Sequence, residues 1–461
     1  MRRHALTALF LLAAPAAPLA SQTPDRAALT ARIDSIVNAA IGARGAPGIS
    51  IAVVRGADTI ALEGYGLADV ENEVPVTDRS VFRIGSVTKQ FTAAAVMKLV
   101  DQGRIRLDAP LSEYLPDYPG PGARVTIHHL LNHTSGIPSY TGMGPDFWNR
   151  SRLDLTHEEM LDLFARDSLE FEPGSRWEYN NSGYYLLGVL IEKVTGQPYD
   201  QHVRGALFEP LGLAQTMYCH QAPIIPHRVQ GYARDAGTLV NAAPLSMNPP
   251  GAAGALCSTA RDLIRWTDAL MAGRVVSTES LARMMTATSL TTGTTNPYGY
   301  GLTNGQLGPH EAIQHGGGIN GFTAFLARYP EQDLTIAVLA NGPTDAGALQ
   351  ARIARAVLGL PEPPIAQQPE VPIDAAALER YTGTYDLAPT VPIQVRIFIQ
   401  DERLMGQGTN QSAFPLRHVG EHTFVGPPES GVRIVFTIEN DRATSFTLHQ
   451  GGGTVPARRI D

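Results

Sequence analysis

A change of hydrophobic period divides this chain. Up to Leu358 the longer apolar patterns follow helical spacing, broken by a few short strand-like runs; beyond Pro361-Glu362-Pro363-Pro364 to Pro372 they alternate residue by residue. A helix brings every third or fourth side chain to one face and a strand every second, so one kind of element cannot satisfy both patterns. Proline favours an extended, semi-rigid spacer. The switch predicts a large mixed unit over 25–360, a proline-rich linker over 361–373 and a small β unit over 374–461.

Within the large unit, Leu29, Ile33, Ile36, Val37, Ala40 and Ile41 mark an amphipathic helix. Gly48 to Val54 and Thr59 to Leu62 read as two strands joined by a Gly/Asp turn. A helical block follows. It opens after Ser86, includes capping boxes at Thr156/Glu159 and Thr259/Asp262, and contains a strong helix just after Tyr179-Asn180-Asn181-Ser182. Phe322 to Tyr329 and Leu334 to Ala340 flank Pro330-Glu331-Gln332-Asp333 as a hairpin, and Thr344 to Leu358 closes with a helix. This order predicts an α+β fold: an antiparallel sheet assembled from both chain ends, flanked by helices, with a helical subdomain inserted. In the small unit Ile393, Val395, Ile397 and Ile399 alternate, as do Ile434, Phe436 and Ile438, which predicts a small antiparallel β-barrel or sandwich.

Arg2-Arg3 followed by an apolar and small run from Ala5 to Ala20 has the form of a secretory signal peptide over residues 1–20, and no later apolar run is long enough to span a bilayer. Export is therefore expected, to the periplasm or the medium. The formal net charge is −8 and no basic stripe is present, so nucleic acid and anionic membrane are not the expected partners. Cys219 and Cys257 are the two cysteines. In an exported chain their spacing favours a disulfide over a metal site or free thiols.

The chemistry concentrates on Ser86-Val87-Thr88-Lys89. A hydroxyl and an amine three residues apart share one helix face. A buried, unprotonated amine there takes the hydroxyl's proton and makes the serine a nucleophile. Lysine is scarce in this chain: of 36 basic residues three are lysines (Lys89, Lys98, Lys193) and 33 are arginines. Arginine cannot lose its proton, whereas a desolvated lysine can. A solvated helix start with a surface amine is the plain alternative. Tyr179 and Asn181, before a helix, add a phenol able to relay protons if an adjacent ammonium lowers its pKa, or else a core tyrosine and a capping asparagine. His315-Gly316-Gly317-Gly318 adds glycines that let a backbone N–H approach a ligand, or simply a glycine turn beside a histidine.

In this order, Ser86/Lys89, Tyr179/Asn181 and His315/Gly317 resemble the Ser-x-x-Lys, Tyr-x-Asn and Lys/His-x-Gly marks of the serine β-lactamase and penicillin-binding-protein superfamily. The closest branch is the class C β-lactamase-related hydrolases. His129 to Gly136, Gly254 to Ala260 and Tyr298 to Leu302 are similar to that family too, and the tail with Tyr381-Thr382-Gly383-Thr384-Tyr385 is similar to the lipocalin-like domain behind some of its members, a resemblance that implies the barrel. The resemblance implies a serine hydrolase without a cofactor or metal, of D-aminopeptidase, DD-carboxypeptidase or esterase type. Ser86 would form an acyl-enzyme. Lys89 and Tyr179 would share acid and base work, Asn181, His315 and Gly317 would hold substrate, and the amides of Ser86 and Gly318 would form the oxyanion hole. A histidine at 315 is only partly charged near neutrality and Gly316 lacks a hydroxyl, so the departures point away from β-lactam turnover and toward peptide or ester cleavage.

Two other classes compete. His128, His129 and His133 have zinc-like spacing, but no glutamate lies between them as the zinc-protease motif requires. A non-turnover acylated binding protein is the third reading, alongside a carboxylesterase or weak β-lactamase of the same family.

Overall fold

The computed structural model describes residues 26–461 apart from 42–44, 166–167, 236, 362–369, 388–392, 410–412, 428–429 and 451–452. The expected signal peptide and most of the expected linker lie outside the described residues.

Helix α1 (Arg26–Ile41) leads into β1 (Gly48–Arg55), β2 (Asp58–Asp69) and the short β3 (Val74–Pro75). Helices α2 (Thr88–Asp101) and α3 (Asn181–Thr195) belong to the helical block. The chain then returns through β4 (Thr303–Leu307), β5 (His310–Ile319), β6 (Phe322–Tyr329) and β7 (Leu334–Ala340) before α4 (Ala346–Leu358). The seven strands form one sheet in the order β4-β5-β6-β7-β1-β2-β3, with antiparallel neighbours throughout. The two chain ends meet where Ile49 to Arg55 pair with Ala340 to Leu334, as the order of elements predicts.

β7 is buried along its whole length and β1 through Val53, which is why these strands do not alternate and are apolar apart from the buried Ser50 and Thr335. One side of the sheet is covered by α1 and α4, through Ile33, Val37, Leu349 and Ile353 against Ile49, Ile51 and Val338. The other side faces a larger core that includes Phe82, Phe91, Leu186 and Trp266. Phe91 of α2 stacks on Trp266 at 4.1 Å, so α2 is held deep in this core. Thr156 and Glu159 form the expected reciprocal capping box. At Thr259 only half forms: its hydroxyl accepts Asp262 N–H, while the Asp262 carboxylate is taken by Gln215 N–H at 2.8 Å.

The disulfide expectation is corrected. Cys219 and Cys257 are both free and buried. On a small three-stranded sheet Cys257 pairs with Met217, while Cys219 N–H bonds to Ala255 O at 2.8 Å. The cysteines are thus diagonal neighbours rather than a directly opposed pair, and no disulfide joins them. Their thiols instead hydrogen-bond, which holds Cys219 below and Cys257 above the usual thiol range, burial being the larger cause for Cys257.

The C-terminal unit is a closed barrel of eight strands from Gly383–Asp386 to Gly453–Arg459, each antiparallel to the next. Tyr381, Tyr385, Phe424, Phe436 and Phe446 fill its core, with ring centroids 4.7–5.8 Å apart.

Candidate active site

Ser86 lies not in the α-helix but in the single 3₁₀ turn Gly85–Val87 that feeds α2. That turn lies against β5, and glycine makes the approach possible. A Cβ at Gly317 would stand 2.0 Å from Ile84 O, and one at Gly85, where φ is +50°, 2.9 Å from Gly318 N. At Gly318 the same Cβ would meet nothing within 4 Å, so this strand position faces open space beside the half-buried serine.

One turn on, Lys89 is fully buried. Its Nζ lies 3.2 Å from Ser86 Oγ, 2.8 Å from Asn181 Oδ1 and 2.9 Å from Ala253 O. No carboxylate is among these partners. Burial alone drives the amine well below the usual lysine range. A neutral amine carries two donors and one lone pair, and the surroundings match: two carbonyl oxygens take the donors and the serine hydroxyl faces the lone pair.

Asn180 rather than Asn181 caps α3, its Oδ1 accepting Gly183 N–H at 2.7 Å. Asn181 is thereby the first helical residue, free to turn its side chain into the cleft. Its Nδ2 donates to Thr141 Oγ1 at 3.1 Å, and Ser139 Oγ accepts its N–H at 3.2 Å. Tyr179 stands just before the cap. Lys89 Nζ sits 4.7 Å from the centre of its ring, and its hydroxyl is buried without a well-formed hydrogen bond. Burial raises the phenol's pKa, and the nearby Ser86 hydroxyl offsets only part of that. The expectation of a phenol acidified by a neighbouring ammonium is therefore corrected: beside an uncharged amine, Tyr179 keeps its proton.

His315 comes to the site wall but not as a charge. The ring is 6 % exposed; Nε2 is 2.9 Å from Tyr298 Oη and Nδ1 2.6 Å from Gly316 O. A carbonyl only accepts, so Nδ1 donates to it and Nε2 accepts from Tyr298, leaving no ring N–H for a ligand. Burial is the main cause that lowers its pKa to about 4. The partly charged histidine expected at this position is neutral near pH 7.

The zinc-spaced histidines are otherwise engaged. His128 Nδ1 meets Tyr300 Oη at 2.6 Å, His129 Nδ1 accepts Thr126 N–H at 3.2 Å and His133 Nδ1 accepts Asn180 N–H at 3.1 Å. Three parts of the site were not foreseen from the sequence: the Ala253 carbonyl, the Tyr298 hydroxyl, and the packing of His133 on Tyr179 at 4.4 Å between ring centroids. A backbone acceptor carries no residue signature. Its one trace is the run of small residues Gly251-Ala252-Ala253-Gly254, where close packing of backbones is easiest.

The family model described as Beta-lactamase matches residues 33–360, and one described as a domain of unknown function (DUF3471) matches 367–457. Penicillin-binding protein 4* of Bacillus subtilis (strain 168) is 29% identical over 433 residues, covering 89% of this chain and 94% of its own length. The D-aminopeptidase of Gluconobacter oxydans (strain 621H) is 26% identical over 368 residues, covering 77% and 67% respectively. Among solved structures, D-amino acid amidase from Ochrobactrum anthropi SV3 in complex with D-phenylalanine has a TM-score of 0.65 and 28% identity, covering 72% of this chain and 99% of that one. The octameric penicillin-binding protein homologue from Pyrococcus abyssi has a TM-score of 0.67 and 26% identity, covering 93% and 99%.

Proposed function

The chain belongs to the serine β-lactamase and penicillin-binding-protein family of hydrolases, and from that premise we propose that it cleaves amides or esters through an acyl-enzyme on Ser86. The observation that carries this reading is a fully buried amine with no acidic partner, its Nζ 3.2 Å from the serine hydroxyl. Lys89 takes the Ser86 proton as Oγ attacks the substrate carbonyl. The Ser86 and Gly318 amides receive the oxyanion where the strand opens, Asn181 lines the substrate's path, and Gly317 lets the strand close on the Ser86 turn. Tyr179, holding its proton, donates it to the departing nitrogen or oxygen and takes one back from the water that attacks the acyl carbonyl, while Lys89 returns its proton to Ser86 Oγ as the acid leaves.

The substrate class we favour is an amide or ester of a D-amino acid. The named activities of the relatives support it, as does a neutral His315 that offers no cation to a free carboxylate. The expected signal peptide supports export, checked by sequencing the N-terminus of the mature protein. The principal test incubates the enzyme with D-amino-acid amides, short-chain esters and a chromogenic cephalosporin, quenches in acid and maps the adduct by peptide mass. An acyl group on Ser86, with fast release from the amides or esters and slow release from the cephalosporin, is expected. An adduct on another residue, or turnover surviving Ser86→Ala, overturns the mechanism.

A further inference from the structure

His133 is a poor choice for stability alone. It holds a left-handed backbone (φ +64°), a conformation that costs a side-chain-bearing residue free energy. The residue is 1 % exposed. Because Nδ1 accepts the Asn180 N–H, the ring proton sits on Nε2, and that atom is buried with no partner. A phenylalanine would fill the space without an orphaned donor, and a glycine or asparagine would relieve the backbone.

Its contacts show what these costs support. The His133 carbonyl accepts Glu178 N–H at 3.0 Å, its Nδ1 accepts Asn180 N–H at 3.1 Å, and its ring lies 4.4 Å from the ring of Tyr179 between them. One residue thus grips three consecutive residues, with the phenol in the middle. The phenol hydroxyl has no well-formed hydrogen bond of its own to hold it in place. Tyr298 and Tyr184, with ring centroids 4.5 and 5.1 Å from His133, back the imidazole and limit its tilt.

We propose that His133 is a positioning residue that sets the height and tilt of the Tyr179 phenol over the Ser86–Lys89 pair. This rests on the proton-relay reading of Tyr179 above. A relay works only within hydrogen-bond reach of the leaving group, and a displacement near 1 Å costs about 100-fold in rate.

The leaving group separates positioning from general support of the fold. An anilide nitrogen must be protonated as it departs, whereas p-nitrophenolate leaves as the anion. Hydrolysis of the p-nitroanilide and the p-nitrophenyl ester of N-acetyl-D-alanine is measured in His133→Asn, which suits the left-handed backbone and offers Asn180 a new acceptor, and in His133→Gln as a second variant. We expect the single-turnover acylation rate on the anilide to fall about 10- to 100-fold and that on the ester to fall less than about threefold, the shared acyl-enzyme making deacylation common to both. In a Tyr179→Phe background the same substitutions should add almost nothing on the anilide, because the group being positioned is gone. Equal losses on both substrates, or losses that persist undiminished beside Tyr179→Phe, overturn the proposal and leave His133 a fold residue. Full anilide activity in Tyr179→Phe overturns the relay reading, and the positioning role falls with it. Activity retained in His133→Asn beside an inactive Tyr179→Phe overturns the positioning role alone.

Discussion

In the barrel, the buried phenols close their hydrogen bonds: Tyr381 Oη meets His422 Nδ1 at 2.8 Å and Tyr385 Oη donates to Tyr381 O at 2.8 Å. In the cleft, a cluster of similar rings leaves His133 Nε2 and Trp177 Nε1 buried and unpartnered and Tyr179 Oη without a well-formed bond, around an amine stripped of its charge. Native proteins satisfy nearly all buried polar atoms, because each orphan costs about 1–3 kcal/mol. Two aromatic clusters in one chain thus separate by bookkeeping of donors alone. The satisfied cluster stabilises; the unsatisfied one holds groups ready for a partner that arrives later.

The largest effect should come from Lys89→Arg. It keeps a basic side chain but removes the option of a neutral one, and it forces a permanent charge into a pocket whose partners are two carbonyl oxygens and a hydroxyl. We expect kcat/KM to drop by at least about 1000-fold and the thermal midpoint to fall. Lys89→Met should lose as much activity while keeping a midpoint above that of Lys89→Arg, because it brings no charge into the pocket, although it leaves Ala253 O and Asn181 Oδ1 without their donor. A Lys89→Met protein that unfolds more easily than Lys89→Arg would mean that the pocket accepts a fixed charge, and the contrast between the two clusters would fail.

Tyr179→Phe comes next. Removing a hydroxyl that has no well-formed bond should cost about 100-fold in amide hydrolysis and almost nothing in stability. A drop in the midpoint comparable to that of a satisfied tyrosine would show that the hydroxyl has a structural partner after all.

How much of this was legible in the sequence depends on what each residue does. Ser86 and Lys89 stood out because lysine is scarce and the spacing is local. The sheet built from both chain ends and the all-β character of the tail followed from period and order, since burial on one or two faces writes itself into side-chain alternation; the count of eight strands and their closure did not. Protonation states did not follow. Whether His315 is charged depends on Tyr298 and on the Gly316 carbonyl, partners set by the register of β5 rather than by any motif. The cysteine pairing failed for the same reason: a two-residue offset across neighbouring strands separates a disulfide from two thiols. His133 was visible, but its sequence neighbours suggested metal, and only the fold showed it against Tyr179.

Acid should loosen the cleft before it reaches the alkaline end of any activity profile. His315 and His129 each have a folded pKa of about 4, lowered chiefly by burial, against an ordinary value of 6.5. The unfolded chain therefore binds protons that the folded chain refuses, so stability is complete above about pH 6.5 and declines as pH falls toward 4. Turnover should fall on the same side, because protonating Lys89 removes the base. Thermal unfolding of the full chain between pH 7 and pH 4 checks the first point. A His315→Gln variant, which keeps polar contacts without titrating, should flatten part of the decline; a midpoint independent of pH across that window would show these rings are not held neutral.

The smallest effect is expected from Tyr385→Phe, and it is the control that gives the others meaning. The hydroxyl it removes is spent on Tyr381 O, so the variant leaves a buried carbonyl short of a donor and should lower stability by about 1 kcal/mol. That loss should appear as faster hydrogen exchange in the barrel strands, with kcat/KM unchanged. In the cleft, then, deleting a phenol oxygen takes rate and spares stability; in the barrel it takes stability and spares rate. If Tyr385→Phe also slows hydrolysis, the barrel's packing reaches the chemistry, and the two clusters are one system rather than two.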